Sequence, residues 1–344
     1  MLDEAADTVK SRDGSRLLLA VFGKHPAWSD HLEDIGIDSP SLAEFRRWLY
    51  VDGIRPNLDS GAWERLPAGR MLPEWNHRLL MVGPTGMILA RLWATSDGRG
   101  RRAYPLVAAT HLPTARLPAD LGPLFDALDA TGVQCAAALT QDEVRAAVLQ
   151  GVGFLGQAVK SLAPQAPEGP GGEERLRFLD SPEMGPGRAG FERLIHVMTG
   201  ELAAFAPGGK RKRTCNPFPR GFRVPLPRGR GGEAVLLWHA FFQPHLAAEV
   251  LWSAVHAVDQ PWADLIVGEP DADQVFRFRA SLEEIPAVCD IPYNIPRETL
   301  ETAARIIHQF GHPPFRVSAL QEKGDENPRS RFLGSLRGRL FGGD

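Results

Sequence analysis

Residues 17–22, Leu-Leu-Leu-Ala-Val-Phe, form an unbroken apolar run that stops at Gly23-Lys24. A run of that length bounded by turn residues predicts a buried strand. The polar stretch that follows holds His25, Pro26, Trp28, Asp30, His31, Glu33 and Asp34. It reads as a strand-end loop, a common place for function on a rigid scaffold. Asp38-Ser39-Pro40-Ser41 then predicts a helix start, with Ser41 and Glu44 at the spacing of a capping box. Leu42, Phe45, Trp48 and Leu49 share one helical face, and Gly53 and Pro56 are the stop signals. Further on, residues 78–82, 87–95 and 103–110 read as strands. Tight turns separate them, Gly83-Pro84-Thr85-Gly86 and Asp97-Gly98-Arg99-Gly100. Turns that short impose antiparallel pairing, because a parallel pair needs a long crossover.

The second half is less regular. Residues 117–128, 141–162 and 191–205 read as helices, the second from Val144, Val148, Val152, Leu155 and Val159 at helical spacing. Pro/Gly-rich stretches at 163–172 and 181–190 read as a flexible insertion. Residues 234–242, AVLLWHAFF, are a buried-strand candidate, residues 245–258 a helix, residues 263–267 and 274–278 strands, and residues 297–310 a helix. The expected fold class is α/β of the α+β type: a mixed, mostly antiparallel central sheet flanked by helices, with a C-terminal helical extension. The expected organisation is a mobile N-terminus (1–15), one α/β domain (16–285) and a helical extension (286–320). A mobile tail (321–344) ends the chain. The domain is interrupted by an insertion near 163–190 and a basic loop at 207–233. The tail is polar and Gly/Arg-rich, although Phe332, Leu333, Leu336, Leu340 and Phe341 share helical spacing.

Composition narrows the classes. The chain has 344 residues, 43% hydrophobic and 24% charged, with a net charge of −3. That is a folded protein with no global charge pointing to nucleic acid. Cys135, Cys215 and Cys289 are far apart and make no CxxC pair, so a reducing cytoplasm is the expected compartment. The acidic, polar start lacks the basic and apolar regions of a signal peptide. No apolar run reaches the roughly 20 residues of a membrane span.

Two segments carry a family resemblance. Phe22-Gly23-Lys24-His25-Pro26 followed by Asp30 resembles the opening motif of the TagF family, accessory proteins of bacterial type VI secretion. That motif reads Gly-Lys-Leu-Pro, a few residues, then Gly-Asp-Phe. Here His25 stands for the Leu, Ser29 for the Gly and His31 for the Phe. Asp97, Gly100, Arg101 or Arg102, and Tyr104-Pro105-Leu106 resemble the family's second pattern: an Asp, a Gly-Arg pair and an aromatic-Pro-Leu. A third likeness is a Trp-containing helix at Leu251-Trp252, then a short strand leading into Gly268-Glu269-Pro270. The resemblance implies a non-catalytic cytoplasmic regulator that represses secretion after translation by binding protein. It implies no cofactor. Its expected partner is a scaffold with a forkhead-associated domain, and family members are linked to a phospho-threonine switch.

The residues themselves leave several chemistries open. Lys24 and Asp30 face Asp97 and Arg101 across two strand ends. They could form an ion-pair network that fixes the loops, or a polar recognition surface that also takes in His25 and Arg102. His25, Asp30, His31 and Asp34 have metal-ligand chemistry and would serve a metal-dependent hydrolase, without a standard ligand spacing. The Gly151–Gly156 stretch matches GxGxxG but interrupts a helix, so close helix packing explains it better than a dinucleotide. Lys210, Arg211, Lys212, Arg213, Arg220 and Arg223 form a basic patch. It is either a solvated face or a scaffold for anionic partners. Cys215 sits among basic residues that would lower its pKa if exposed.

Overall fold

A computed structural model describes residues 18–113, 117–162, 171–179, 188–202, 205, 221–226, 231–247, 249–287 and 295–312. The strands are β1 (Leu18–Lys24), β2 (His31–Ile35), β3 (Asn76–Gly83), β4 (Gly86–Trp93), β5 (Leu106–Leu112), β6 (Gly221–Pro225), β7 (Trp252–Ala257) and β8 (Trp262–Val267). They form one eight-stranded sheet in the order β2-β1-β5-β4-β3-β7-β8-β6. Every pairing is antiparallel. The α+β architecture expected from the apolar pattern is the one observed.

Both faces of the sheet are covered. Leu19, Val21, Met87 and Leu89 point into a core shared with α3 (Gly122–Ala137), α4 (Gln141–Ser161), α6 (Arg188–Leu202) and α7 (Gly231–Phe242). Ala20, Phe22, Ile88 and Ala90 point the other way. There they meet α1 (Pro40–Arg46), a π-helix (Arg47–Ile54), α2 (Arg55–Asp59) and α8 (Ala272–Arg277). Successive residues of a strand face opposite sides, so a sheet buried twice reads as continuous apolar runs. α9 (Arg297–Gly311) packs on α6 and on α5 (Gly172–Leu179). Its Phe310 meets Phe241 edge-on at 5.5 Å, so the expected C-terminal extension joins the main core.

Several expectations change. Residues 234–242 form helix α7, not a strand. Leu236, Leu237, Trp238 and Phe241 are all buried, and a helix apolar on every side loses its amphipathic period. Residues 245–258 are not a helix: a loop leads into β7, and Trp252 opens that strand. Residues 274–277 belong to α8, with Phe278 as its C-cap, and Asp271 and Gln274 make a capping box at its start. At the first helix Ser39, not Ser41, is the cap, accepting from the Leu42 N–H at 3.1 Å. Gly53 and Pro56 do not end the helical path, because the π-helix and then α2 continue it. Part of the predicted loop after His25 is the edge strand β2, in which Leu32 alone is buried. A short, polar edge strand resists pairing with other chains. Gly151 lets α4 approach α3: a Cβ there would lie 2.3 Å from Thr131 Oγ1.

Four histidines carry acid sensitivity. Burial lowers His77 from 6.5 to about 3, and His239, His245 and His256 each to about 4. In the unfolded chain these imidazoles take a proton near pH 6.5, while the folded chain refuses it down to about pH 4. Stability is therefore full above pH 6.5 and falls as pH drops through that window. Each group contributes a slope of up to about 1.4 kcal/mol per pH unit. Urea denaturation midpoints measured between pH 7.5 and 4 (roughly the range set by these reference values) are expected to fall steeply below pH 6.5. His256→Gln should flatten the profile, and a profile already flat in the parent protein would contradict the assignment.

Candidate functional site

The two motif segments meet at one end of the sheet. β1 ends at Lys24, and Gly23 pairs with Leu106, the first residue of β5. The connection from β4 to β5, which carries Asp97 and Arg101, therefore lies beside the end of β1. Lys24 Nζ donates to Asp97 Oδ2 at 2.9 Å and to Asp30 Oδ1 at 2.5 Å. Arg101 closes the ring: its Nε donates to Asp97 Oδ2 at 2.7 Å and its Nη2 to Asp30 Oδ1 at 3.0 Å. Two cations and two carboxylates thus form one closed cycle.

The cycle has a buried half and an exposed half. Lys24 is 3% exposed and Asp97 2%. The side chains of Asp30 and Arg101 are 63% and 48% exposed. Asp97 also folds its own turn, because its Oδ1 accepts from the backbone N–H of Arg99 and of Arg101. Burial alone would raise the Asp97 pKa. The Lys24 ammonium, the two backbone N–H groups and the Arg101 guanidinium outweigh burial and hold the carboxyl well below the usual range. Asp30 is lowered chiefly by its hydrogen bond from Lys24.

The motif glycines have steric reasons. Gly23 has φ +119°, and a Cβ there would lie 2.1 Å from the Pro105 carbonyl oxygen and 2.4 Å from Tyr50 Oη. The Pro105 carbonyl accepts from the Lys24 N–H at 3.3 Å and from the Tyr50 hydroxyl at 2.5 Å. Gly98 donates its N–H to the Trp28 carbonyl at 2.6 Å, and a Cβ there would lie 2.9 Å from the Pro26 carbonyl. Backbone-to-backbone contact thus locks the two loops beneath the ion cycle. Tyr50, which comes from the π-helix, also belongs to this corner. Its phenol meets the Phe22 ring at 5.1 Å and the Tyr104 ring at 5.2 Å. Nothing in the residues near Tyr50 marks that role, which depends on tertiary packing.

Most of the other candidates separate from this centre. His25 is fully buried. Its Nδ1 accepts from the Ala27 N–H at 3.1 Å, so its Nε2 donates to the Cys135 carbonyl at 2.8 Å. Both ring nitrogens are committed to the fold, which leaves no lone pair for a metal and removes His25 from any surface. His31 packs edge-on against Tyr104 at 4.9 Å, and its Nδ1 lies 3.1 Å from Asp30 Oδ1 on the exposed side of the cycle. Asp34 pairs with Arg46 at 2.7 Å. Among the described residues no cluster of three or more His, Cys, Asp or Glu side chains could hold a metal ion. Arg102 is exposed and reaches Glu74 at 3.4 Å.

The basic patch is only partly visible. Lys210, Arg211, Lys212, Arg213 and Arg220, like Cys215, lie outside the described residues. Arg223 is not part of an exposed patch, since it is fully buried in β6 opposite Asp264 of β8. It donates to Asp264 at 3.0 and 2.7 Å, and Arg277 donates to the same carboxylate at 3.0 and 2.8 Å. The remaining Arg223 donors reach the carbonyls of Arg277, Ala280, Ser281 and Ile285. Arg223 thus ties the β6 edge to the segment after α8. Cys135 is buried too, and burial pushes its thiol up to about 11, which makes it a packing residue.

The steric argument gives a direct test. Gly23→Ala should cost about 3 kcal/mol or more, because a strained φ is compounded by collision with backbone. Gly69→Ala is the comparison: φ is +81° there but nothing lies within 4 Å of the added Cβ. It should cost only about 1–2 kcal/mol. Equal losses in chemical denaturation would show that the Gly23 contact is unimportant.

Comparison with known proteins adds little. No family model matches this chain. No curated protein matches it either. Among solved structures, the crystal structure of PA0076 from Pseudomonas aeruginosa PAO1 is similar at 18% identity, covering 81% of this chain and 100% of that one, with a TM-score of 0.37. A likeness that low carries no argument about fold or function.

Proposed function

We propose that this chain is a non-catalytic accessory protein of the TagF type, which regulates type VI secretion by binding another protein. The observation that carries the reading is the ion cycle. The residues that resemble the two family patterns, Lys24 and Asp30 from one segment and Asp97 and Arg101 from the other, lie far apart in sequence and bond to one another. Residues tied in one cycle constrain one another, which gives a physical reason for the two patterns to occur together.

The chemistry of the cycle suits binding. The Asp97 carboxylate is saturated by cations and N–H groups, and both nitrogens of the buried His25 imidazole are occupied. Neither of these buried groups is poised as a nucleophile or general base. The exposed half presents Asp30 and Arg101, with Arg99 and Arg102 beside them, on a rigid support. Such a surface suits a protein partner that carries acceptors for guanidinium groups. The partner this reading implies is a scaffold with a forkhead-associated domain.

The test is pull-down and titration with the forkhead-associated scaffold of a secretion cluster from the same genome. Arg99→Glu together with Arg102→Glu should weaken the complex by about tenfold or more at unchanged thermal stability, because both side chains are exposed. No complex with the parent protein, or equal affinity for the folded double variant, would overturn this reading.

A further inference from the structure

A second feature lies at the opposite end of the sheet. Lys24, Leu106 and Trp93 mark one end, while Leu18, His111 and Met87 mark the other. At that far end a recess of about 330 Å³ opens between the π-helix, the β3–β4 turn and the loops flanking β7 and β8. Phe45, Trp48, Met81 and Ile88 give it an apolar lining. Glu44, Asp52, Glu249 and Glu269 also line it, against the single guanidinium of Arg47. Arg47 is already engaged by Asp52 at 2.5 Å and approaches Glu44 at 3.9 Å. The recess is therefore apolar inside and negative at its edge.

One further observation sets it apart from an ordinary surface dent. One wall is a π-helix of eight residues, a rare backbone that recurs at functional sites.

We propose that this recess binds a short cationic, amphipathic peptide segment of a partner protein, in which arginine or lysine alternates with apolar residues. Each part of that ligand answers a part of the site. Apolar side chains and the aliphatic stem of the cation cover the lining, and the charged head meets the carboxylates. A polyamine has no apolar side chains for the lining, and a phosphorylated or acidic peptide meets four carboxylates of its own sign. The proposal does not depend on the TagF reading, because it uses other residues at the other end of the sheet.

The experiment is fluorescence anisotropy on the full chain with a labelled acetyl-Leu-Arg-Phe-Arg-Leu-amide probe. The Leu-Glu-Phe-Glu-Leu peptide and spermidine serve as competitors. Saturable binding of the arginine peptide is expected, weakening about fivefold or more between low and moderate salt. Glu44→Lys with Glu249→Lys should weaken it by about tenfold at unchanged thermal midpoint, since both side chains are exposed. The proposal is overturned by absence of saturable binding, by equal binding of the glutamate peptide, or by equal displacement by spermidine. Affinity unchanged in the folded double variant would also overturn it. So would binding that emerges only after residues 321–344 are removed, because the occupant would then be the chain's own basic C-terminal segment.

Discussion

The corner where β1 meets the β4–β5 connection depends on a buried ammonium. Lys24 is almost without solvent, and removal from water costs a charged group several kcal/mol unless partners replace the lost hydration. Asp97 and Asp30 supply that replacement, and Arg101 balances the second carboxylate. Such an arrangement adds little net stability, since an apolar pair of the same shape could do as well. What it imposes is geometry. The ammonium is satisfied only when both loops adopt the observed course, so alternatives that separate them leave a desolvated charge. The glycines beneath make the same demand sterically, through contacts that tolerate no side chain.

The same logic recurs on the other side of the sheet. Asp264 is held between the guanidinium groups of Arg223 and Arg277, and burial by itself would raise its pKa. Instead the two arginines keep it ionised, and the spare donors of Arg223 gather the carbonyls that follow α8. One buried charge centre thus fixes the β1–β5 end and another fixes the β6–β8 edge. Between them the apolar layers specify alternation more than position, because many aliphatic residues fit a two-sided sheet. Buried ions specify position, because each has few acceptable partners.

That division explains what was legible from residues alone. The meander of β3, β4 and β5 was readable because short turns admit one pairing, and the Lys24 and Asp97 corners were readable because they end apolar runs at charged turns. The second half misled because burial on all sides hides period. In α7 the apolar residues continue past any stripe, and the same pattern suits a buried strand. In α8 the capping box of Asp271 and Gln274 starts a helix, whereas the residues from Gln274 to Phe278, with Val275 and two phenylalanines, read as a strand. Arg223 looked like one more member of a basic run. Only its cross-strand partner Asp264 turns it inward, and partnership across 41 positions leaves no local trace. His25 misled in the same way, since its two backbone partners appear only once the chain is folded.

The central claim is that Lys24 and Asp97 act as one unit rather than as two separate contributions. A double-mutant cycle in urea denaturation measures this directly, using Lys24→Met, Asp97→Asn and the combined variant. If the ammonium and carboxylate depend on each other, each single change strands its partner, and the combined variant is no less stable than the worse single one. Losses that simply add would mean that the two charges are independent, and the account of the corner would fail.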